Sequence, residues 1–576
     1  MMKAMNVSPR RLRLPAVAAM AAHFITALAA ECTGTFDPIS ASEWVSAINP
    51  GWNLGNTLDS VPDEGSWNNP PVQAGTFQDI KDAGFKSVRI PVTYADHFTG
   101  SSPDWTVDPE WLQRVSDVVD MAVDAGLYVL TNMHHDSWEW ADVSADGANL
   151  TMIEEKVYAT WVQIGQTLGC QPSSVAFEPI NEPPADDAED GAELNKINEL
   201  FLQALQESGG FNTQRVVTLV GGAMDSIKTS QWFEAPTGYD NPWALQYHYY
   251  SPYDFIFGAW GKTIISDSDV ATVEADIRNI RGNFTDVPLV IGEFDASPLN
   301  CEPAARRRYM DIVARTATEL DTALILWDNG EDHFNRDTKV WKDPHEIAVL
   351  LQAVAGESNS LADATTDASA TEQSSSAFVF HKVGEEVAEQ TISIVLNGNT
   401  LKSISTDDGT ALEADSDYSV SGGDVTFSSS FLSKYVSADA EPGSKANLTL
   451  TFSAGATAGV EIVQWTVPTL GASESTAVAG ADLKIPITWG GLRYAAAVKM
   501  LRSDGVYLFD DWTQYLGPLQ AAYGTWSGQW NWDASNLILT ATTVDAVIAA
   551  GAPATTFTFD FFPRVPGNSL NYTLNV

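Results

Sequence analysis

Ser174-Val-Ala-Phe177-Glu178-Pro-Ile-Asn181-Glu182-Pro183 is a short apolar run that stops at polar groups set between two prolines. Such a run reads as a strand buried on both faces, and the polar residues fall at its carboxyl end. The pattern recurs along the chain. Further strands are predicted near 51–54, 87–90, 128–133, 216–220, 245–247, 289–291 and 323–326. Between them the stretches 76–83, 109–125, 153–168, 193–206 and 303–320 have helical periodicity. Strand–helix units repeated eight times predict an α/β fold, a (β/α)8 TIM barrel over residues 31–356. An open doubly wound sheet would carry a Gly-rich phosphate turn after its first strand, and none follows here.

Beyond the barrel the composition changes. Residues 357–376, ESNSLADATTDASATEQSSS, are small and polar and read as a linker. Short strands separated by Gly, Asp and Ser turns then predict a β-sandwich over 377–469. A second β-sandwich is expected over 470–576, with Trp489, Trp512, Trp526, Trp530 and Trp532. That is more Trp than a core of this size needs, so some are expected to face solvent.

The chain has 576 residues, 31 Lys+Arg against 75 Asp+Glu, a net charge of -44, 19 Trp and 3 Cys. Its 44% hydrophobic content is ample for a packed core. The negative charge excludes nucleic acid and an anionic membrane as partners, and leaves neutral ones such as sugars. Residues 1–30 read as a signal peptide. Lys3, Arg10, Arg11 and Arg13 precede an apolar stretch, and Ala27-Leu28-Ala29 is a small-x-small cleavage site. A secreted, extracellular protein is expected, with no membrane span. Three Cys make no disulfide framework. Cys170 precedes the fourth strand and so lies at the barrel's amino-terminal face, within reach of Cys32. Cys301 lies at the opposite face, so a Cys32–Cys170 bridge is expected.

Barrel active sites form at the carboxyl ends of the strands. There stand Arg89 in Ser87-Val-Arg-Ile-Pro91, His134-His135 after the third strand, and Asn181-Glu182 after the fourth. His248 and Tyr250 end the sixth, Glu293 the seventh and Trp327 the eighth. A charge inside an apolar strand, like Arg89, must be paired. Glu182 and Glu293 lie on opposite sides of the mouth and converge on one bond. Two carboxyls flanking a bond are what glycoside hydrolysis needs, one as acid and one as nucleophile. No third ligand follows His134-His135-Asp136 at metal spacing, so no metal and no cofactor are expected. Trp138, Trp140, Trp260 and Trp341 lie in or near strand-end loops, where they either line sugar subsites or pack.

These motifs, with Gly51-Trp-Asn53-Leu-Gly-Asn-Thr-Leu58, resemble glycoside hydrolase family 5, subfamily 4. The resemblance implies Glu182 as acid/base and Glu293 as nucleophile of a retaining enzyme. It places Asn181 on the sugar 2-hydroxyl and has Arg89 keep Glu293 ionised. Tyr250 would bond the nucleophile, and His248 would sit beside the acid/base. His134 would contact the −1 sugar above a Trp327 floor, with Asn53 and His135 in support. Residues 377–469 resemble the X2 immunoglobulin-like module. Residues 470–576 resemble carbohydrate-binding module family 46, which can fold back and extend the cleft; Trp526, Trp530 and Trp532 are its sugar-binding candidates. The expectation is a monomeric endo-β-1,4-glucanase on β-glucan or xyloglucan, with a xyloglucan- or mixed-linkage-specific enzyme as the alternative. A non-catalytic polysaccharide-binding protein is the alternative of another class.

Overall fold

The computed structural model describes residues 30–296, 301–373, 375–508 and 522–576. Eight parallel strands close into a barrel in sequence order. They are β1 (Gly51–Asn53), β2 (Ser87–Ile90), β3 (Tyr128–Asn132), β4 (Val175–Glu178), β5 (Val217–Val220), β6 (Trp243–Tyr249), β7 (Leu289–Phe294) and β8 (Thr322–Leu326). β1 pairs with β8, so no edge remains. Every predicted strand is present, with ends shifted by a few residues. The helices fall where the periodicity placed them; Pro109 opens Pro109–Asp124 and Pro303 opens Pro303–Glu319.

One element escapes the strand–helix pattern. The helix Ala41–Ile48 starts at a Ser40–Glu43 capping box and plugs the amino-terminal end of the barrel. Its Trp44 is fully buried against a layer that includes Ala176, Ala244 and Ala323. Small side chains there leave room for the indole. At the same end Cys32 and Cys170 form the expected disulfide, with Cα atoms 5.3 Å apart. Cys301 is a buried free thiol that donates to the Phe255 carbonyl at 2.9 Å.

Two β-sandwich modules follow. The first has two four-stranded sheets, one of them Phe378–Lys382, Ala458–Trp465, Gly443–Phe452 and Leu401–Thr406 in spatial order. The second also has two four-stranded sheets, with a helix at Ala541–Ala549.

Residues 357–376 do not hang free between the bodies, contrary to their linker-like composition. Leu361–Ala362 pairs with Val395 and Ile394 as an edge strand of the first sandwich. Asn359 is buried and donates to Asp311 Oδ1 at 2.6 Å and to the Val349 carbonyl at 2.9 Å. Small polar side chains satisfy backbone groups locally, so a segment without large apolar residues can still be fixed. Residues 1–29, with most of the expected signal peptide, and Trp512 lie outside the described residues.

Candidate active site

Arg89 is the centre of the site. It points into the barrel from β2 and is fully buried. Its Nε and Nη2 donate to the two carboxylate oxygens of Glu178, both at 2.7 Å. Its Nη1 donates to Glu293 Oε1 at 2.6 Å and to Asn53 Oδ1 at 3.0 Å. Nη2 also donates to Asn181 Oδ1 at 2.7 Å. A guanidinium fork suits several planar oxygen acceptors at once. Since Arg89 only donates, it fixes the Asn181 amide with its NH2 facing away. Asn53 is a support residue, its own amide donating to the Gly292 carbonyl at 3.0 Å.

Glu178 is the functional residue that the sequence reading passed over. It accepts from Arg89, from Asn132 Nδ2 and from Gln246 Nε2, the last two at 2.8 Å each. Its position inside the quoted fourth strand was the available signal, because a carboxylate there needs a cation. Burial pushes its pKa up, but Arg89 and the hydrogen bonds outweigh that and hold it below the usual range.

Glu293 behaves oppositely. Burial raises its pKa, and neighbouring Glu182 adds to the rise. His248, Arg89 and the Tyr250 hydrogen bond pull it down without cancelling the rise. Arg89 lies against Glu293, as expected, and favours its ionised form, but its bidentate partner is Glu178.

The expected neighbours of the two glutamates are in place. Tyr250 donates its hydroxyl to Glu293 Oε2 at 2.8 Å. His248 Nδ1 lies 2.8 Å from Glu182 Oε1 and 3.5 Å from Glu293 Oε2. Carboxylate oxygens of Glu182 and Glu293 and a His248 nitrogen all lie within 4.8 Å of one another. The Glu182 side chain is 25% exposed, open to the cleft. Its backbone has φ +38, the left-handed region that a non-glycine residue enters at a cost.

His134 forms one wall. Asn132 Nδ2 lies 3.1 Å from its Nδ1, and an amide NH2 only donates, so Nδ1 is the acceptor and Nε2 carries the hydrogen. Burial, with His135, Arg89 and His248 nearby, pushes its pKa well down and keeps it neutral. The Trp327 ring lies parallel to it at 6.0 Å. Gly55 permits this floor, because a Cβ there would lie 2.9 Å from the indole. His135 sits between Trp67 and Trp138, at 5.4 and 4.8 Å between ring centroids. These two Trp are 39% and 52% exposed. Trp67 was not among the sequence candidates, since nothing in its local sequence marks it as exposed.

Asp59, from the turn after β1, meets His134 and His135 with potential ligand atoms within 4.8 Å of one another. Sequence spacing could not reveal this third group. Protein partners already engage it: Asp59 accepts from the backbone N–H of Asn56 at 3.0 Å and of Thr57 at 2.6 Å.

The other aromatic candidates separate by environment. Trp341 packs on Phe85 and Phe334. Trp140 roofs the Lys156 ammonium, which lies 4.0 Å from its ring centroid and 4.0 Å from that of Phe98. Trp530 is fully buried in the last module's core and has no face for a sugar, which corrects its candidacy. Trp526 and Trp532 are half-buried, with ring centroids 5.6 Å apart.

A barrel with two opposed glutamates among sugar-sized aromatic walls defines a glycoside hydrolase. Residues 51–333 match the cellulase model of glycosyl hydrolase family 5, and residues 373–462 match the carbohydrate binding domain X2. A tri-modular GH5 (subfamily 4) endo-β-1,4-glucanase from Bacillus licheniformis, solved with cellotetraose, superposes with a TM-score of 0.82 and 32% identity. That match covers 93% of this chain and 99% of the other. The tri-modular endo-β-1,4-glucanase B of Bacillus halodurans superposes with a TM-score of 0.77 at 25% identity, over 94% and 100% of the two chains. Endoglucanase B of Paenibacillus lautus is 29% identical over 83% of this chain and 84% of its own. The chain belongs to glycosyl hydrolase family 5 and is an enzyme.

Proposed function

We propose that this enzyme is a secreted endo-β-1,4-glucanase that cleaves internal bonds of plant cell-wall glucan with retention of configuration. The observation that carries this is the approach of Glu182 and Glu293, with carboxylate oxygens within 4.8 Å. Retaining enzymes hold their carboxyls roughly 5–5.5 Å apart, whereas inverting ones leave space for a water. In the first step Glu182 gives its proton to the departing glycosidic oxygen. Glu293 attacks the anomeric carbon, forming a glycosyl ester as that bond breaks. In the second step Glu182 takes a proton from water, which attacks the same carbon and releases Glu293.

The remaining roles follow from the contacts. Asn181, held by Arg89, presents its NH2 to the sugar 2-hydroxyl. His134 offers Nε2–H to the −1 sugar over Trp327, and His135 supports that wall. The disulfide supports an oxidising, extracellular destination. Among the described residues no helix is long and apolar enough to cross a membrane. The last module adds sugar contacts through Trp526 and Trp532 and extends the cleft. What supports the extension is a cavity of about 780 Å³ lined by Tyr253 and Trp260 of the barrel and Tyr523 of the module.

The test is labelling with a 2-deoxy-2-fluoro cellobioside followed by peptide mass spectrometry. The label is expected on Glu293, and Glu293→Ala is expected to lose at least about 10⁴-fold in kcat, as removal of an essential nucleophile does. Label on another residue would overturn the assignment. Reducing-sugar release from carboxymethylcellulose, xyloglucan and barley β-glucan then ranks the substrates.

A further inference from the structure

We propose that Arg564, in the last module, is a positioning residue for the nucleophile, because it anchors the barrel loop that begins at Tyr250. The proposal rests on the reading of Glu293 as nucleophile.

The loop leaves β6 at Tyr250, whose hydroxyl bonds Glu293. A row of rings runs outward from there. Tyr250 stacks on Phe257 at 5.7 Å, Phe257 meets Tyr253 at 4.8 Å, and Tyr253 meets Trp260 at 5.4 Å. The far end is conformationally unusual. Gly258, Trp260 and Gly261 have φ of +55, +53 and +75. A Trp in the left-handed region keeps that conformation only when its surroundings enforce it.

Among the described residues, the last module reaches Gly261 with the side chains of Arg564 and Tyr523, beside a cavity of about 780 Å³ between loop and module. Arg564 Nη1 lies 2.7 Å from the Gly261 carbonyl, 3.1 Å from Thr263 Oγ1 and 2.9 Å from Gln373 Oε1. Its Nη2 donates to Asp560 Oδ2 at 3.3 Å, and its carbonyl accepts from Gln373 N at 2.9 Å. One guanidinium thus bonds the barrel loop, the connecting segment and its own module. The Tyr523 ring closes over Gly261, where an added Cβ would lie 2.5 Å from a ring carbon.

Glu293 is faced by Arg89 from β2, by Glu182 beyond β4, and by His248 and Tyr250 at the end of β6. Of these only Tyr250 heads the anchored loop. Freeing Gly261 would loosen the ring row and weaken the one hydrogen bond it supports. The nucleophile would then ionise at higher pH and be less well aimed.

The experiment uses the full-length chain and an aryl β-cellobioside, a substrate short enough to react without the module's sugar contacts. Arg564→Ala is expected to lower kcat about fivefold with KM nearly unchanged, and to move the acidic limb of kcat/KM to higher pH. Arg564→Lys is expected to recover part of this. Gly261→Ala, which displaces Tyr523 from the barrel side, is expected to reproduce it, and it serves as the probe if Arg564→Ala fails to fold. The double variant with Tyr250→Phe is expected to be no worse than Tyr250→Phe alone. An unchanged kcat and acidic limb, or a defect confined to polymeric glucan, would overturn the proposal. So would additive losses in the double variant. Fluoro-sugar labelling of wild type separates these outcomes from a wrong nucleophile.

Discussion

Glu178 and Glu293 share one arginine, yet their pKa values move in opposite directions. Glu178 takes two Arg89 nitrogens and two amide donors and is wholly enclosed. Glu293 takes one Arg89 nitrogen and a tyrosine hydroxyl, and it faces Glu182. Burial raises both; Arg89 outweighs it at Glu178, whereas Glu182 adds to the rise at Glu293. A prediction follows for Tyr250→Phe. The lost hydrogen bond favours the ionised form, so Glu293 should rise further. The acidic limb of the pH–rate profile should move to higher pH, and kcat should fall roughly tenfold. An acidic limb that stays in place would mean that Tyr250 does not govern nucleophile ionisation.

At the scale of elements, the ends of β7 and β8 are joined by charge. His333, in the loop after β8, lies 2.6 Å from Asp295 at the end of β7, and both are buried. Burial alone would lower the histidine's pKa, but Asp295 overrides it and holds it up at about 10. The folded value exceeds the unfolded one of about 6.5, so the pair's stabilisation is complete below about pH 6.5. It is lost as pH rises towards 10. Denaturation midpoints of wild type should therefore fall across that window, and those of His333→Asn should fall less. At pH 6 that substitution should cost roughly 3–5 kcal/mol, because Asp295 is left buried without its partner. Parallel pH profiles for the two proteins would refute the linkage.

At the scale of the whole molecule, hydrogen bonds and packing around Asn359 join the barrel to the first sandwich. Asn359 donates to Asp311 and to the Val349 carbonyl in the barrel, and its Oδ1 accepts from Ala456 N of the sandwich at 2.9 Å. Arg307 Nη1 donates to the Gly459 carbonyl at 3.0 Å. Ala304 of the barrel packs into the sandwich core. Asn359→Ala would leave several buried polar groups unpaired, at roughly 1–3 kcal/mol. Calorimetry should show barrel and sandwich unfolding together in wild type and at separated temperatures in this variant. Identical traces would show that the junction does not depend on Asn359.

The eight strands and the meeting of Glu182 and Glu293 could be read in the sequence, because a barrel puts every strand's carboxyl end at one mouth. A polar residue that closes an apolar run is thereby placed at that mouth, whatever its distance along the chain. Linear pattern carries no information on what meets across the barrel or between modules. Glu178 looked like one more residue of a strand until Arg89 lay against it. The 357–376 segment had the composition of a free linker and is fixed by buried hydrogen bonds. Trp526, Trp530 and Trp532 look alike in the sequence, and only packing buries Trp530 in the module's core while leaving the other two half-buried. The balance of burial against charge that raises Glu293, and the reach of Arg564 to the loop after β6, were decided by tertiary structure alone, because both depend on distances between segments that the chain order does not specify.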